Sequence, residues 1–419
     1  MVAVATRVVR ATASTMVSSP TPTPTPAPAP APVRTGPVVV VDVRGLALLG
    51  GTGRRELPGT GGALSPGLSH DARWVSWLTA SADGGSADLH LRDLRRPGAD
   101  RVVPGATAYA WSPTGALVAV VTGAGLRVLT PGSAQPGSQR PTDIPGAFYG
   151  VVWSADGRRL GVSGRHTLVL DLAPAQAGVR VTRSLRLPAA YDNAYLARFT
   201  SAGLLLWPDQ TGSASVAADG LRLVEVDLAT FTASPLIVSL TYRDWVVGLP
   251  GNRVLLVAGG DRDAHLGKHP ATYAVPGSST GGPPVTSRPR PTAPAATVPA
   301  GSSLLSVAAL ADGTVATVAA RAGPASGWAV DGTVHLRRPG GPDVTVAAAG
   351  HGVASVVAAR GGFLVLTRRT MELVSRDGGV RQLGPAGPVD RPYQAGLASI
   401  DYYGHVDTTQ LVAVPAGGG

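Results

Sequence analysis

An all-β fold built from repeated antiparallel hairpins is what this 419-residue chain predicts, on three observations. Short segments alternate apolar and polar residues, as in VVWSADGRRLGVSGRHTLVLDL from Val151. The chain is punctuated by 55 Gly and 37 Pro, and only 15% of its residues are charged. Period-two alternation sends successive side chains to opposite faces of a strand, while Gly and Pro interrupt regular structure between strands. Many short strands joined by many turns follow, and a helix-rich fold is disfavoured.

The first strand, VVVVDVRG at 38 to 45, has no hairpin partner nearby. Seven hairpins come after it, each an apolar strand, a turn with Gly or Asp, and a second apolar strand. They read LSHDARWVSWL from Leu68, WSPTGALVAVV from Trp111, WSADGRRLGVS from Trp153, FTSAGLLLW from Phe199, LPGNRVLLVA from Leu249, ALADGTVATVA from Ala309 and AARGGFLVLT from Ala358. Their starts are 43, 42, 46, 50, 60 and 49 residues apart. A second hairpin follows each, its first strand marked by alternation in DLHLRDL, LRVLTPG, TLVLDLA, LRLVEVDL, ATYAVPG, TVHLRRPG and TMELVSRDG. Two hairpins make a four-stranded unit, and a period of about 40 to 50 residues is that of a propeller blade. The partner of VVVVDVRG is expected within LASIDYYGHVDTTQLVAV, 397 to 414, which would close the ring by pairing the N- and C-terminal strands and leave no exposed sheet edge. Residues 37–416 are thus read as a single β-propeller of four-stranded antiparallel blades, eight by this count, with seven and an extra hairpin as the alternative. The stretch 276–301, PGSSTGGPPVTSRPRPTAPAATVPAG, is read as a Pro/Ser/Thr-rich loop inserted into the propeller.

Two of the turns carry a family resemblance. Trp-Ser-Pro-Thr-Gly at 111 to 115 and Trp-Ser-Ala-Asp-Gly at 153 to 157, each followed by two strands, resemble the WD40-like repeats of TolB-type propellers in bacterial envelope proteins. The Trp-Asp pair of true WD40 repeats is absent. The resemblance implies a propeller fold and, by analogy, an envelope-associated interaction role. The residues of the turn have a structural reading of their own: Asp-Gly supplies the positive φ of a tight hairpin, and the Trp or Phe before it packs between neighbouring blades.

Residues 1–36 are read as a disordered segment with an extended spacer, the alternating-Pro run from Pro20 to Pro32. Such spacers commonly separate an anchor from an exported domain. A signal or lipoprotein segment is therefore expected upstream of Met1, and an extracytoplasmic or cell-envelope location with it, because residues 1–19 lack the roughly 7 to 15 apolar residues of a signal core. No apolar run reaches the roughly 18 residues needed to span a membrane as a helix.

The net charge of +10 is carried by arginine, Lys268 being the only lysine. The arginines are scattered singly or in pairs such as Arg54-Arg55 and Arg158-Arg159, not gathered into a run with interleaved aromatics, which argues against nucleic acid as a partner. With no cysteine, disulfides, thiolate nucleophiles and thiolate metal sites are excluded.

Three motifs suggest chemistry, and each has a plainer reading. Gly277-Ser278-Ser279-Thr280-Gly281 matches the G-x-S-x-G hydrolase pattern, yet it lacks the preceding strand and following helix that a nucleophile elbow requires. Lys268 lies in Leu-Gly-Lys-His, not in a phosphate-binding loop. Asp261, Asp263, His265 and His269 could offer oxygen and imidazole ligands, but a solvated turn between Gly260 and Pro270 explains them as well. No catalytic residue, metal or cofactor is predicted.

Loops leading into the innermost strands of a propeller converge on one end of its channel, and ligand sites favour such places. Tyrosine recurs in these loops although aromatics are 5% of the chain. The predicted ligand-binding set is Tyr149, Asp192, Asn193, Tyr195, Asp244, Trp245 and His351. The function expected from it is a non-enzymatic, monomeric binding or scaffold propeller that recognises a protein, peptide or glycan partner. The alternative is a propeller hydrolase or lactonase holding a divalent ion in the channel, which needs several carboxylates or imidazoles aimed at one axial point.

Overall fold

Phe148–Trp153 pairs antiparallel with Arg159–Gly164, which pairs with Leu168–Ala175, which pairs with Gly178–Arg186, so four strands follow one another across a sheet in chain order. This is the unit that the alternating sequence predicts, and it recurs along the chain. The computed structural model describes residues 38–42, 45–50, 53–80, 87–96, 98–132, 144–175, 178–201, 203–208, 221–239, 243–251, 253–258, 269–274, 291–294, 303–322, 329–346, 353–367, 370–385 and 411–413. Among them there is no α-helix, only the single 3-10 turns Ala189–Tyr191 and Arg243–Trp245.

The expected count of eight separate blades, or seven, is corrected by the strand pairing. The described strands form six sheets: four have four strands, one has seven and one has eight. Two features fuse what the repeat separates. Arg101–Trp111 is an eleven-residue strand that pairs with Ala87–Asp93 over its first half and with Val118–Thr122 over its second, the two registers meeting at Ala106. Ser239 pairs with Ala258, joining Ala233–Ser239 to Arg253–Ala258. Hydrogen bonding runs on where the residue pattern restarts.

The first and last described strands share one sheet. Val38, Val39 and Val40 pair with Ala413, Val412 and Leu411. Within the 276–301 stretch, Pro291–Pro294 pairs with His269–Ala274, so the expected loop contains a short strand at a sheet edge, where proline's missing N–H costs no ladder bond.

The sheets stack face to face in cyclic order. Leu68, Val75 and Trp77 pack on Val39, Leu46 and Leu48. Ala119, Val121 and Leu126 pack on Val151, Leu160 and Val162, and Val152 and Val169 pack on Leu196, Leu204 and Leu206. Within the eight-stranded sheet, which folds back on itself, Leu205, Trp207 and Leu223 meet Val246, Val254 and Leu256, while Trp245 and Leu255 meet Val307 and Val315 of the next sheet. Val318 and Leu336 meet Val356 and Phe363, and Leu364, Leu366 and Leu373 return to Val38 and Leu49. Strands such as Phe148–Trp153 are thus buried on both faces, Val151 pointing one way and Val152 the other, which is why the sequence there is nearly continuous in apolar residues. An all-β propeller is the result.

Two of the turns between first and second strands share one clamp. Ser154 Oγ donates to Asp156 Oδ1 at 2.6 Å and accepts from Arg159 N at 2.8 Å, while Asp156 Oδ1 accepts from Arg158 N at 3.0 Å. Ser69, Asp71, Arg73 and Trp74 repeat the set, with bonds of 2.6, 2.9 and 3.2 Å. Gly157 has φ of 68° and Ala72, at the same position of its turn, 56°. The neighbouring indoles also tie strands together. Trp153 Nε1 donates to the Ala110 carbonyl at 2.9 Å, and Trp111 Nε1 to Ser76 Oγ at 2.8 Å. The Trp-Ser-Ala-Asp-Gly motif is architecture.

Candidate functional site

At the end where the chain leads into the innermost strands, the structure brings together Tyr149, Asp192 and Tyr195. Tyr149 is the second residue of Phe148–Trp153; Phe148 points into the core and Tyr149, by alternation, outward. Tyr195 opens the adjacent strand Tyr195–Phe199. Both rings are about two-fifths exposed, at 40% and 41%. Burial pushes the Tyr149 phenol up to about 12, and the charges of Tyr195 and Asp192 add to it.

Asp192 follows the 3-10 turn Ala189–Tyr191, which is pinned by the Thr167 hydroxyl donating to the Tyr191 carbonyl at 2.5 Å. Its Oδ2 accepts from His166 Nδ1 at 3.1 Å and from Arg186 Nη2 at 3.4 Å. Burial raises the pKa of this carboxyl, but the hydrogen bond from His166 and the charges of His166 and Arg186 outweigh it and hold the group below its ordinary value. The other oxygen, Oδ1, is buried and has no hydrogen-bond partner among the described residues. Asn193 is exposed, at φ of 57°, a left-handed conformation that asparagine tolerates; its N–H donates to the Gly164 carbonyl at 3.0 Å.

The other predicted residues stand apart from this group. Trp245 is 1% exposed and packs in the core with Leu255, Val307 and Val315, so its ring faces no solvent. Asp244 lies in the turn Arg243–Trp245. His351 lies outside the described residues, as do the Gly277–Gly281 motif and Asp261, Asp263 and His265. Among the described residues no group of three or more His, Asp or Glu could hold a metal ion.

Three further residues of this end lie outside the predicted set. His166 comes from the turn between second and third strands, which opens to the same end as the loops into the first strands; that topological fact is the signal for it. Arg186 closes the fourth strand, Gly178–Arg186, and reaches Asp192 only because Leu187–Ala194 doubles back. Arg243 Nη1 donates to the Val151 carbonyl at 3.0 Å, a bond between residues 92 positions apart. It ties the turn before Val246–Leu249 to the innermost strand Phe148–Trp153.

Fold and site together define the class as a β-propeller with a loop face of paired tyrosines around a hydrogen-bonded aspartate. No protein-family model and no curated protein matches the chain. Among solved structures, it is similar to the β-propeller domain of the Trilobed protease from Pyrococcus furiosus, at 13% identity and a TM-score of 0.42, covering 78% of this chain and 98% of that one. The Swd1 β-propeller domain of Myceliophteria thermophila is 13% identical with a TM-score of 0.44, covering 74% and 94%. Prolyl oligopeptidase B from Galerina marginata is 11% identical with a TM-score of 0.49; the match covers 77% of this chain and 50% of that one, so the chain spans about half its length.

Proposed function

We propose that this protein is a non-enzymatic binding propeller that recognises a protein, peptide or glycan through Tyr149, Tyr195 and Asp192. The observation that carries the reading is the pair of part-exposed tyrosines, Tyr149 and Tyr195, set beside Asp192. The rings offer large contact area with polar tips, the composition favoured at recognition surfaces, and the aspartate sets a negative charge beside them. His166 and Arg186 hold Asp192 in place. A TolB-type affiliation and a place in the cell envelope belong to the same proposal, supported by the repeat turns at Trp111 and Trp153 and by the spacer from Pro20 to Pro32.

Peptide and glycan arrays probed with the purified protein test this. Hits are expected whose affinity falls by about tenfold or more in Tyr149→Ala/Tyr195→Ala, the double variant melting at the wild-type temperature. Hits that bind the double variant equally well, or that the protein hydrolyses, would overturn the reading.

A further inference from the structure

The opposite end of the innermost strands, where each turns back into its neighbour, holds a cavity of about 370 Å³ between the turns at 154–159, 198–201 and 248–254. Small-molecule sites commonly measure about 300 to 1,000 Å³. The described lining carries three arginines, Arg159, Arg198 and Arg253, against one carboxylate, Asp156. That carboxylate is engaged in the turn clamp by Ser154 and the Arg158 N–H. Arg159 Nε is 3.5 Å from Asp171, and Arg253 Nε donates to the Pro250 carbonyl at 3.0 Å.

Arg198 is different. It has no hydrogen bond and no ion pair with any described residue, and burial lowers its pKa. A bulge aims it. Leu196 pairs with Leu206 and Arg198 with Leu205, leaving Ala197 as the extra residue. Leu196 and Phe199 therefore face the preceding sheet, while Ala197 and Arg198 share the face of Leu205 that looks toward Val246 and Val254. Across that gap, a β-carbon at Gly248 would lie 2.2 Å from Nη2, 2.4 Å from Cζ and 2.6 Å from Nη1 of Arg198. The guanidinium lies on the glycine backbone, in space that any other residue would fill.

A half-buried cation with no counter-charge among the described residues carries a desolvation cost, and an anion that takes bidentate hydrogen bonds from the guanidinium removes it. We propose that this cavity binds a small oxyanion, a carboxylate or a phosphate group, with Arg198 as its anchor and Arg159 and Arg253 flanking it. The Thr200 hydroxyl on the floor donates to the buried Glu225 carboxylate and accepts from Gly203 N at 2.8 Å, so its proton is committed and the arginines carry the recognition. This site is independent of the tyrosine face, and neither proposal rests on the other.

Calorimetric titration of the full chain tests it with three probes: inorganic phosphate, a short peptide with a free C-terminal carboxylate, and the same peptide amidated. Phosphate or the free-acid peptide is expected to bind, and the amide not; which of the two binds identifies the source of the oxyanion. Arg198→Gln should weaken that binding by tenfold or more, and Gly248→Ala should weaken it by displacing the guanidinium, while Tyr149→Ala/Tyr195→Ala should leave it unchanged. Thermal melting checks each variant, and Gly248→Ala decides if Arg198→Gln does not fold. No binding of phosphate or free-acid peptide at about 10 mM, equal binding of acid and amide, or full binding by a folded Arg198→Gln would overturn the proposal.

Discussion

The two ends of the strands Phe148–Trp153 and Tyr195–Phe199 differ in how their polar groups are held. At the loop end, polar side chains meet from separate segments: Asp192 from a 3-10 turn, His166 from a turn between strands and Arg186 from a strand end. At the turn end the polar groups are mostly committed to the local clamp of Ser154, Asp156 and Arg159, and the exceptional group is Arg198. Loops that approach an innermost strand can vary without disturbing the ladder, whereas the clamp is needed to start the second strand. The loop end offers rings around an acid; the turn end offers cations around a cavity. A propeller with chemically opposite ends can engage two ligands without competition between them.

That contrast can be broken most strongly through Glu225, buried beneath the turn end. Burial, helped by the charge of Asp227 and opposed by the Thr200 hydrogen bond, pushes its carboxyl up to about 7. Because the folded value lies above the ordinary 4.5, the folded state holds the proton more tightly, and stability falls as pH rises from about 4.5 through about 7. Glu225→Gln is expected to stabilise the protein at pH 8 by on the order of 2 kcal/mol and to have little effect at pH 4.5, measured by denaturant melts at both values. A variant that destabilises equally at both would show that the hydrogen bond to Thr200, not the charge, governs this site.

Removing the clamp comes next. Ser154→Ala deletes the hydroxyl that joins Asp156 to the Arg159 N–H and should cost about 1 to 2 kcal/mol in the same melts, with oxyanion affinity falling as Arg159 loses its placement. Asp192→Asn is the smallest of the three. The folded carboxyl sits below its ordinary 3.8, so its contribution is present above that value and is lost as pH falls through the folded one. At neutral pH the substitution should cost no more than about 1 kcal/mol, since the partners are partly exposed, and the cost should shrink as pH falls below the ordinary carboxylate value of 3.8. Acid therefore strengthens the turn end and weakens the loop end. Melts of the two variants across pH, read side by side, would show opposite slopes.

Strand positions are legible in the residues because alternation and turn chemistry are local. The clamp at Ser154 and the outward set of Tyr149 follow from the same rules. Sheet boundaries are not local: nothing in RVVPGATAYAW says that one strand serves two partners through Ala106. Within the site, Tyr149, Asp192 and Tyr195 are readable as polar aromatics and an acid at strand starts. Trp245 occupies an equivalent place in the pattern yet turns inward, since its surroundings, Val307 and Val315, come from a later sheet. Arg198 is hidden by its bulge: strict alternation assigns it to the face of Leu196, and the extra residue Ala197 moves it to the other.

The pairing of Val38, Val39 and Val40 with Ala413, Val412 and Leu411 has a consequence for synthesis. The first described strand is held in its sheet by the last described one. Every intervening hairpin can form as it leaves the ribosome, because its partner strand lies a turn away, but this pairing waits until Ala413 has emerged. Until then Val38–Asp42 keeps a bare edge, and a nascent chain stalled before Leu411 carries an open seam that a second chain's strand could occupy.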